Sequence, residues 1–151
     1  MLKQILVLLF VTFSITAYSQ NKNSLLFSYY PQDNGIGLRY DRYFDKIGVY
    51  CSYSYGNYHG EDQYKCEYNI DDHNKYAAGV ALRAKSNPTY LLLGLSYHTY
   101  GDMDLTPDIN RDAFMPFSVE FGVKADINHF AAGFRMDPIK WEGCFEIGIN
   151  F

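Results

Sequence analysis

From about residue 24 to its end, the chain alternates apolar and polar residues at every second position, and no segment of helical length shows the i, i+3, i+4, i+7 pattern that would compete. The clearest stretch sets Phe117, Val119, Phe121, Val123 and Ala125 against Ser118, Glu120, Gly122, Lys124 and Asp126. The next sets Ala132, Phe134 and Met136 against Gly133, Arg135 and Asp137. The last sets Phe145, Ile147, Ile149 and Phe151 against Cys144, Glu146, Gly148 and Asn150. Successive side chains of a strand point to opposite faces, so a period of two means strands with one apolar face and one polar face. Composition agrees: hydrophobic residues reach 48% while the mean hydropathy is only −0.25, so the two kinds are finely mixed. The 18% of aromatics excludes a disordered chain. A formal net charge of −4 argues against nucleic-acid binding through a basic patch. At 151 residues one domain is expected.

The alternation predicts eight strands, at roughly 24–31, 35–44, 47–58, 74–85, 89–101, 113–127, 130–138 and 143–151. Most approach the ~9–11 residues that a tilted strand needs to cross a bilayer. Tight connections fall at Asp45-Lys46, around Ser86-Asn87-Pro88 and at Asn128-His129. Longer ones fall between them, at His59–His73, Asp102–Asp112 and Asp137–Glu142. Pro31–Asn34 is short, with Asp-Asn-Gly turn chemistry. Short turns at one end and longer loops at the other are the habit of outer-membrane barrels.

Parity tests the faces. A two-residue turn at Asp45-Lys46 places Leu38 opposite Tyr53, Tyr40 opposite Cys51 and Arg39 opposite Ser52. One at Asn128-His129 places Phe121 opposite Met136, Val123 opposite Phe134 and Gly122 opposite Arg135. Both hairpins keep apolar with apolar and polar with polar; a slip of one residue would mix them. Across the longer 137–144 connection the expected pairing sets Met136 against Phe145 and Arg135 against Glu146, with slips of two residues also allowed by parity.

The alternation alone does not say which face is inside. Three features favour the polar one. Small and charged residues alternate on it, as in Gly37, Arg39 and Asp41, which suits an eight-stranded lumen just wide enough for side chains. Aromatics gather near the predicted strand ends: Tyr29, Tyr55, Tyr76, Phe117 and Phe145 towards the loops, Phe44 and Phe151 at the turns. The N-terminus reads as an export signal: Lys3, then an apolar stretch from Ile5 to Ala17, then Ala17 and Ser19 at the −3 and −1 positions of a cleavage site. The apolar stretch is shorter than the ~20 residues of a membrane helix. Residues 1–19 are expected to be a cleaved signal peptide and 20–151 an outer-membrane barrel domain.

The C-terminal run Phe145-Glu-Ile-Gly-Ile-Asn-Phe151 resembles the assembly signal of bacterial outer-membrane barrels, which ends in an aromatic with apolar residues at two-residue spacing. Glu146 stands where that motif usually has Gly. The whole mature chain looks like a small eight-stranded barrel of the OmpX/OmpA type, and Gln20 after Ala-Tyr-Ser looks like exports of the Bacteroidetes kind. The resemblance implies an all-β, antiparallel, up-and-down transmembrane barrel in a Gram-negative outer membrane. It also implies assembly by the outer-membrane insertion machinery; contact with outer-membrane lipid and lipopolysaccharide is expected, and no cofactor.

Several residue sets carry candidate chemistry. The expected lumen holds Arg39, Asp41, Arg83, Glu120, Lys124, Asp126, Arg135, Asp137 and Glu146, a nearly balanced set. Such ions must pair to be tolerated, which favours a structural plug over an ion path or gate. Acidic residues crowd two loops: Glu61, Asp62, Asp71 and Asp72 in one, Asp102 and Asp104 in the other. Carboxylates there could hold Ca²⁺ or Mg²⁺ weakly, but the spacing of a dedicated calcium loop is missing, and a solvated acidic surface is the simpler reading. Ser96 and His98 share one face of a strand, as in barrel enzymes that act on lipid acyl chains, yet they point to the lumen. Cys51 is expected to face lipid. Cys66 and Cys144 are both placed towards the loop side, where a disulfide is geometrically conceivable. No metal site is expected from the spacing. Trp141 is expected in a loop as an interfacial anchor.

The reading is a barrel without enzymatic activity, structural or acting through its outer loops on an unidentified surface ligand. Two competitors remain. A lipid-modifying barrel enzyme would need a lipid-facing Ser/His/acid cluster. A soluble lipocalin-like binder would need an apolar interior, and its usual Gly-x-Trp start and late helix are missing.

Overall fold

The computed structural model describes residues 23–32, 34–61, 67–84, 88–100 and 116–151, with side chains for these except 58–61 and 67–71. Eight strands follow one another: β1 (Asn23–Tyr30), β2 (Gly35–Phe44), β3 (Ile47–Glu61), β4 (Glu67–Arg83), β5 (Thr89–Thr99), β6 (Phe117–Ile127), β7 (Phe130–Asp137) and β8 (Glu142–Asn150). Each pairs antiparallel with its neighbours in sequence, and β1 pairs with β8, so the sheet closes into a barrel. The seam is finished by reciprocal backbone bonds, Asn23 N–H to Phe151 C=O at 2.8 Å and Phe151 N–H to Asn23 C=O at 2.9 Å. Closure removes the unpaired edges that an open sheet would present.

Two turns are as tight as the sequence predicts. Phe44 pairs with Ile47 and Ile127 with Phe130, and the first turn residues, Asp45 and Asn128, adopt φ of 58° and 57°. Asp and Asn tolerate this left-handed region better than most residues. Leu38 meets Tyr53, Arg39 meets Ser52, Phe121 meets Met136 and Gly122 meets Arg135, as parity requires. These turns, Asn23 and Phe151 lie at one end of the barrel, called the turn end. The β1–β2, β3–β4, β5–β6 and β7–β8 connections lie at the other, the loop end.

Three expectations are corrected. The stretch His59–His73 is not a long loop: β3 runs on to Glu61 and β4 starts at Glu67, so this hairpin is longer than a bilayer crossing needs. A β-bulge interrupts it, where Gly56 still pairs with His73 but Tyr58 pairs with Ile70 and Asp72 takes φ of 65°. Strands β5 and β6 are shorter than expected, ending at Thr99 and starting at Phe117. Between β7 and β8 the register is slipped by two residues from the preferred one, with Phe134 opposite Phe145 and Arg135 opposite Cys144. The expected signal peptide, residues 1–19, lies outside the described residues, as do Asp62, Cys66, Asp102 and Asp104.

The polarity is the reverse of a soluble protein's. Leu93, Leu95, Val123, Ile147 and other aliphatics stand exposed on the outer face, while Arg39, Asp41, Lys124 and Arg135 are at most 1% exposed inside. An apolar belt running round the whole barrel far exceeds the patch that a water-soluble monomer tolerates. Aromatic residues rim it: Tyr29, Tyr55, Tyr76, Phe117 and Phe145 towards the loops, Phe44, Phe130 and Phe151 towards the turns. The solvent this surface suits is a lipid bilayer.

Candidate functional site

The lumen is filled by two layers of polar side chains. An eight-stranded interior is just wide enough for side chains to fill, so each large side chain needs a small residue across from it. Gly79 and Gly94, paired on β4 and β5, let the Tyr50 ring lie across the barrel; a Cβ on Gly79 would stand 2.7 Å from Tyr50 Cε1. Gly122 does the same for Arg135, whose Cγ would be 2.8 Å from an added Cβ.

The layer nearer the turns is built on three cations. Arg39 forks onto Asp41, with Nε–Oδ1 at 2.7 Å and Nη2–Oδ2 at 2.9 Å, and also pairs with Glu146. Arg135 reaches Glu146 Oε1 from Nε at 2.9 Å and from Nη2 at 2.8 Å, and pairs with Glu120 through Nη1. Its remaining hydrogens go to Ser52 Oγ at 3.0 Å and the Tyr30 hydroxyl at 3.1 Å. Lys124 sits between Asp41 at 3.2 Å and Asp126 at 3.0 Å, and donates to Ser24 Oγ and the Tyr43 hydroxyl. Tyr43 and Tyr50 donate onward to Asp41 and Glu120. Tyr43, Tyr50, Tyr90 and Leu92 pack together below these ions, and Lys124 Nζ lies 4.4 Å from the centre of the Tyr43 ring. Forked guanidinium–carboxylate pairs are the strong form of such contacts, and here they bridge between strands across the lumen.

The layer nearer the loops is of another kind. Lys75 is shared among Glu142 at 3.4 Å, Glu120 at 3.6 Å and Asp137 at 3.8 Å. His73 Nε2 and His98 Nδ1 face each other at 3.0 Å, and the Tyr100 ring stacks on His73 with centroids 4.8 Å apart. His98 Nε2 points to Ser96 Oγ at 3.1 Å and to Asp137 at 3.5 Å. Asp137 also accepts from Ser118 Oγ at 2.5 Å and from the backbone N–H groups of Ile139 and Lys140, which fixes the β7–β8 turn. Burial pushes the Lys140 ammonium below its ordinary pKa, against the opposing pull of Glu142 and Asp137.

Most of the sequence-derived lumen set is thus brought together: Arg39, Asp41, Glu120, Lys124, Asp126, Arg135, Asp137 and Glu146 are all buried. Arg83 is corrected. It has inward parity but ends β4 at the turn-end mouth, where it is exposed. Glu61, Asp71 and Asp72 are corrected too: they lie on β3 and β4 rather than in a loop, and Asp72 is exposed and accepts from the Tyr55 hydroxyl at 2.6 Å. Cys144 is a free thiol buried in the lumen wall and Cys51 is exposed on the outer face, while Cys66 lies outside the described residues. Trp141 lies in the β7–β8 turn, 74% exposed. Phe145, Ile147, Ile149 and Phe151 all stand on the outer face of the closing strand or its end.

Ser96, His98 and Asp137 lie within reach of one another, but not as a nucleophilic triad. In a triad the base contacts the serine through one ring nitrogen and the acid through the other. Here both contact Nε2, Nδ1 is turned to His73, and the group is buried in the lumen away from lipid. Sequence reasoning missed Lys75, His73, Lys140 and Glu142. Inward parity was available for Lys75, but His73 and Glu142 sat in stretches read as loop.

No protein-family model matches the chain, and no curated protein matches it by sequence. By structure the chain is similar to the outer membrane protein Ail of Yersinia pestis in a phospholipid bilayer nanodisc, at 16% identity and a TM-score of 0.49, covering 87% of this chain and 99% of that one. Ail of Yersinia pestis in complex with the heparin analogue sucrose octasulfate aligns at 14% identity and a TM-score of 0.43, covering 87% and 96%. Neisserial surface protein A aligns at 10% identity and a TM-score of 0.39, covering 86% and 92%.

Proposed function

We propose that this chain is an integral outer-membrane barrel of the OmpX/OmpA type whose lumen is a structural plug, and that it works through what its loop end presents at the cell surface. The observation that supports this is the reversed polarity: an apolar belt with aromatic rims outside, and ions paired with one another inside. A conduit needs mobile water along its axis. This lumen instead has Arg39, Arg135 and Lys124 bridged to carboxylates across it.

The rest of the reading follows from the sequence. Residues 1–19 are removed on export, leaving Gln20 as the first residue. The insertion machinery reads Phe145, Ile147, Ile149 and Phe151, whose side chains face outward on the strand that closes the barrel. Trp141 and the loop-end tyrosines meet the lipopolysaccharide leaflet. A catalytic role is disfavoured because the Ser96–His98–Asp137 contacts converge on one nitrogen.

The test joins fractionation with electrophoresis. The protein should partition with outer membranes, migrate faster unheated than boiled, and start at Gln20 when the mature N-terminus is sequenced. Reconstituted in planar bilayers it should show no steady ion conductance. Recovery in the soluble periplasm would sink the membrane reading; steady conductance would sink the plug.

A further inference from the structure

We infer that the loop-end layer of the lumen is a binding site for one zinc-class divalent transition-metal ion, held by His73 of β4, His98 of β5 and Glu142 of β8. All three side chains are buried, and one ligand atom from each lies within 4.8 Å of the other two. Two imidazole nitrogens and a carboxylate oxygen are a donor set that suits zinc and its neighbours; Ca²⁺ and Mg²⁺ prefer oxygen alone.

The geometry around the trio brings the ligands together and orients the two imidazoles. Neutral imidazole binds metal through one nitrogen while the other is fixed by a hydrogen bond, often to a carboxylate. His98 meets this: Nε2 is turned to Asp137 and Ser96, which assigns the ring hydrogen there and makes Nδ1 the acceptor of a hydrogen bond from His73 Nε2–H; the ion would take the place of that hydrogen, with neutral His73 carrying its proton on Nδ1 instead. His73 is held by stacking on Tyr100, only 5° from parallel, with Nε2 directed at His98. The two facing nitrogens are 3.0 Å apart. Tetrahedral bonds of ~2.0–2.1 Å would set them about 3.3 Å apart, so seating the ion takes a small parting of the two nitrogens, a turn of both rings off their shared axis and an approach of the Glu142 carboxylate, which lies within 4.8 Å. Bulges recur at barrel rims and beside active sites, and the β3–β4 bulge lies directly beyond His73.

Charge permits the ion. Lys75 is 3.4 Å from Glu142, but Glu120 and Asp137 lie almost as near, so its ammonium can shift to them when Glu142 turns to a metal. Three protein ligands leave a fourth position of a tetrahedral shell, which a water would complete.

The experiment uses the full mature chain, refolded in detergent micelles, stripped with chelator and titrated with Zn²⁺ by calorimetry. We expect saturable binding of one ion per chain. The double substitution His73→Gln, His98→Gln should weaken it at least ten-fold, as should Glu142→Gln. His129→Gln, at the exposed turn end, should leave it unchanged. Imidazole ¹⁵N spectra of the unsubstituted protein give a second readout that does not depend on variant folding: Zn²⁺ should move the resonances of His73 and His98. Failure to bind, binding that persists in the folded double variant, or shifts confined to His59 or His129 would overturn the site. None of these results bears on the plugged-barrel reading, which the conductance measurement decides.

Discussion

The two layers of the lumen hold similar ions in different ways. Near the turns, guanidinium groups fork onto carboxylates at 2.7–2.9 Å, and tyrosines take up the remaining lone pairs. Near the loops, one ammonium is spread over three carboxylates at 3.4–3.8 Å, and two imidazoles face each other. The difference is one of preorganisation. A planar fork with five donors fixes its partners in one geometry, whereas an ammonium on a flexible stem accepts several. The turn-end layer, Lys124 apart, is thus held by the more directional contacts, and the loop-end layer by the more adjustable ones.

The largest effect should come from the rigid half. Arg135→Met removes the cation shared by Glu120 and Glu146 and leaves these buried carboxylates with only Lys75 and Arg39 respectively as cations, a loss of about 3–5 kcal/mol. Urea unfolding in lipid vesicles, followed by tryptophan fluorescence and gel migration, should show the midpoint falling accordingly. A loss below 1 kcal/mol would mean that water enters this layer freely and would erase the contrast with the loop end.

Next comes the outer wall, which both layers share. Leu93 is on the lipid face of β5, and Leu93→Arg should cost ~2–4 kcal/mol near mid-membrane. Poor recovery in outer membranes is the expected outcome. Normal insertion would reverse the assignment of inside and outside.

Lys75→Met probes the adjustable half. Its carboxylate partners are farther off and Glu120 keeps Arg135, so the loss should be smaller than for Arg135→Met, about 1–3 kcal/mol in the same assay. Equal losses for the two variants would show that the layers do not differ in rigidity.

The smallest change is Ser52→Thr. The hydroxyl that accepts from Arg135 is retained, so the shift should stay within about 0.5 kcal/mol. A larger loss would mean that the turn-end layer is packed too tightly for one methyl group, which would sharpen the comparison further.

What the sequence determined by itself is the number of strands, which residues share a face within each alternating stretch and the register of the two hairpins with two-residue turns. The reason is local: side-chain period is fixed at two, and a tight turn leaves one way to pair Phe44 with Ile47 or Ile127 with Phe130. Where the connection was longer, parity left several registers open, and Arg135 came to pair with Cys144 rather than Glu146 along the strands. Its side chain still reaches Glu146, now diagonally, because a long guanidinium arm spans a two-residue slip. The start of β4 escaped notice because Glu67–His73 carries polar residues on both parities. A strand that has left the bilayer no longer needs an apolar face. Tertiary structure alone decided height within the barrel. Parity can say that Lys75 and His98 point inward. It cannot say that His73, His98 and Glu142, from three strands, arrive at one level. That depends on the stagger by which β1 closes on β8, a property of the whole sheet.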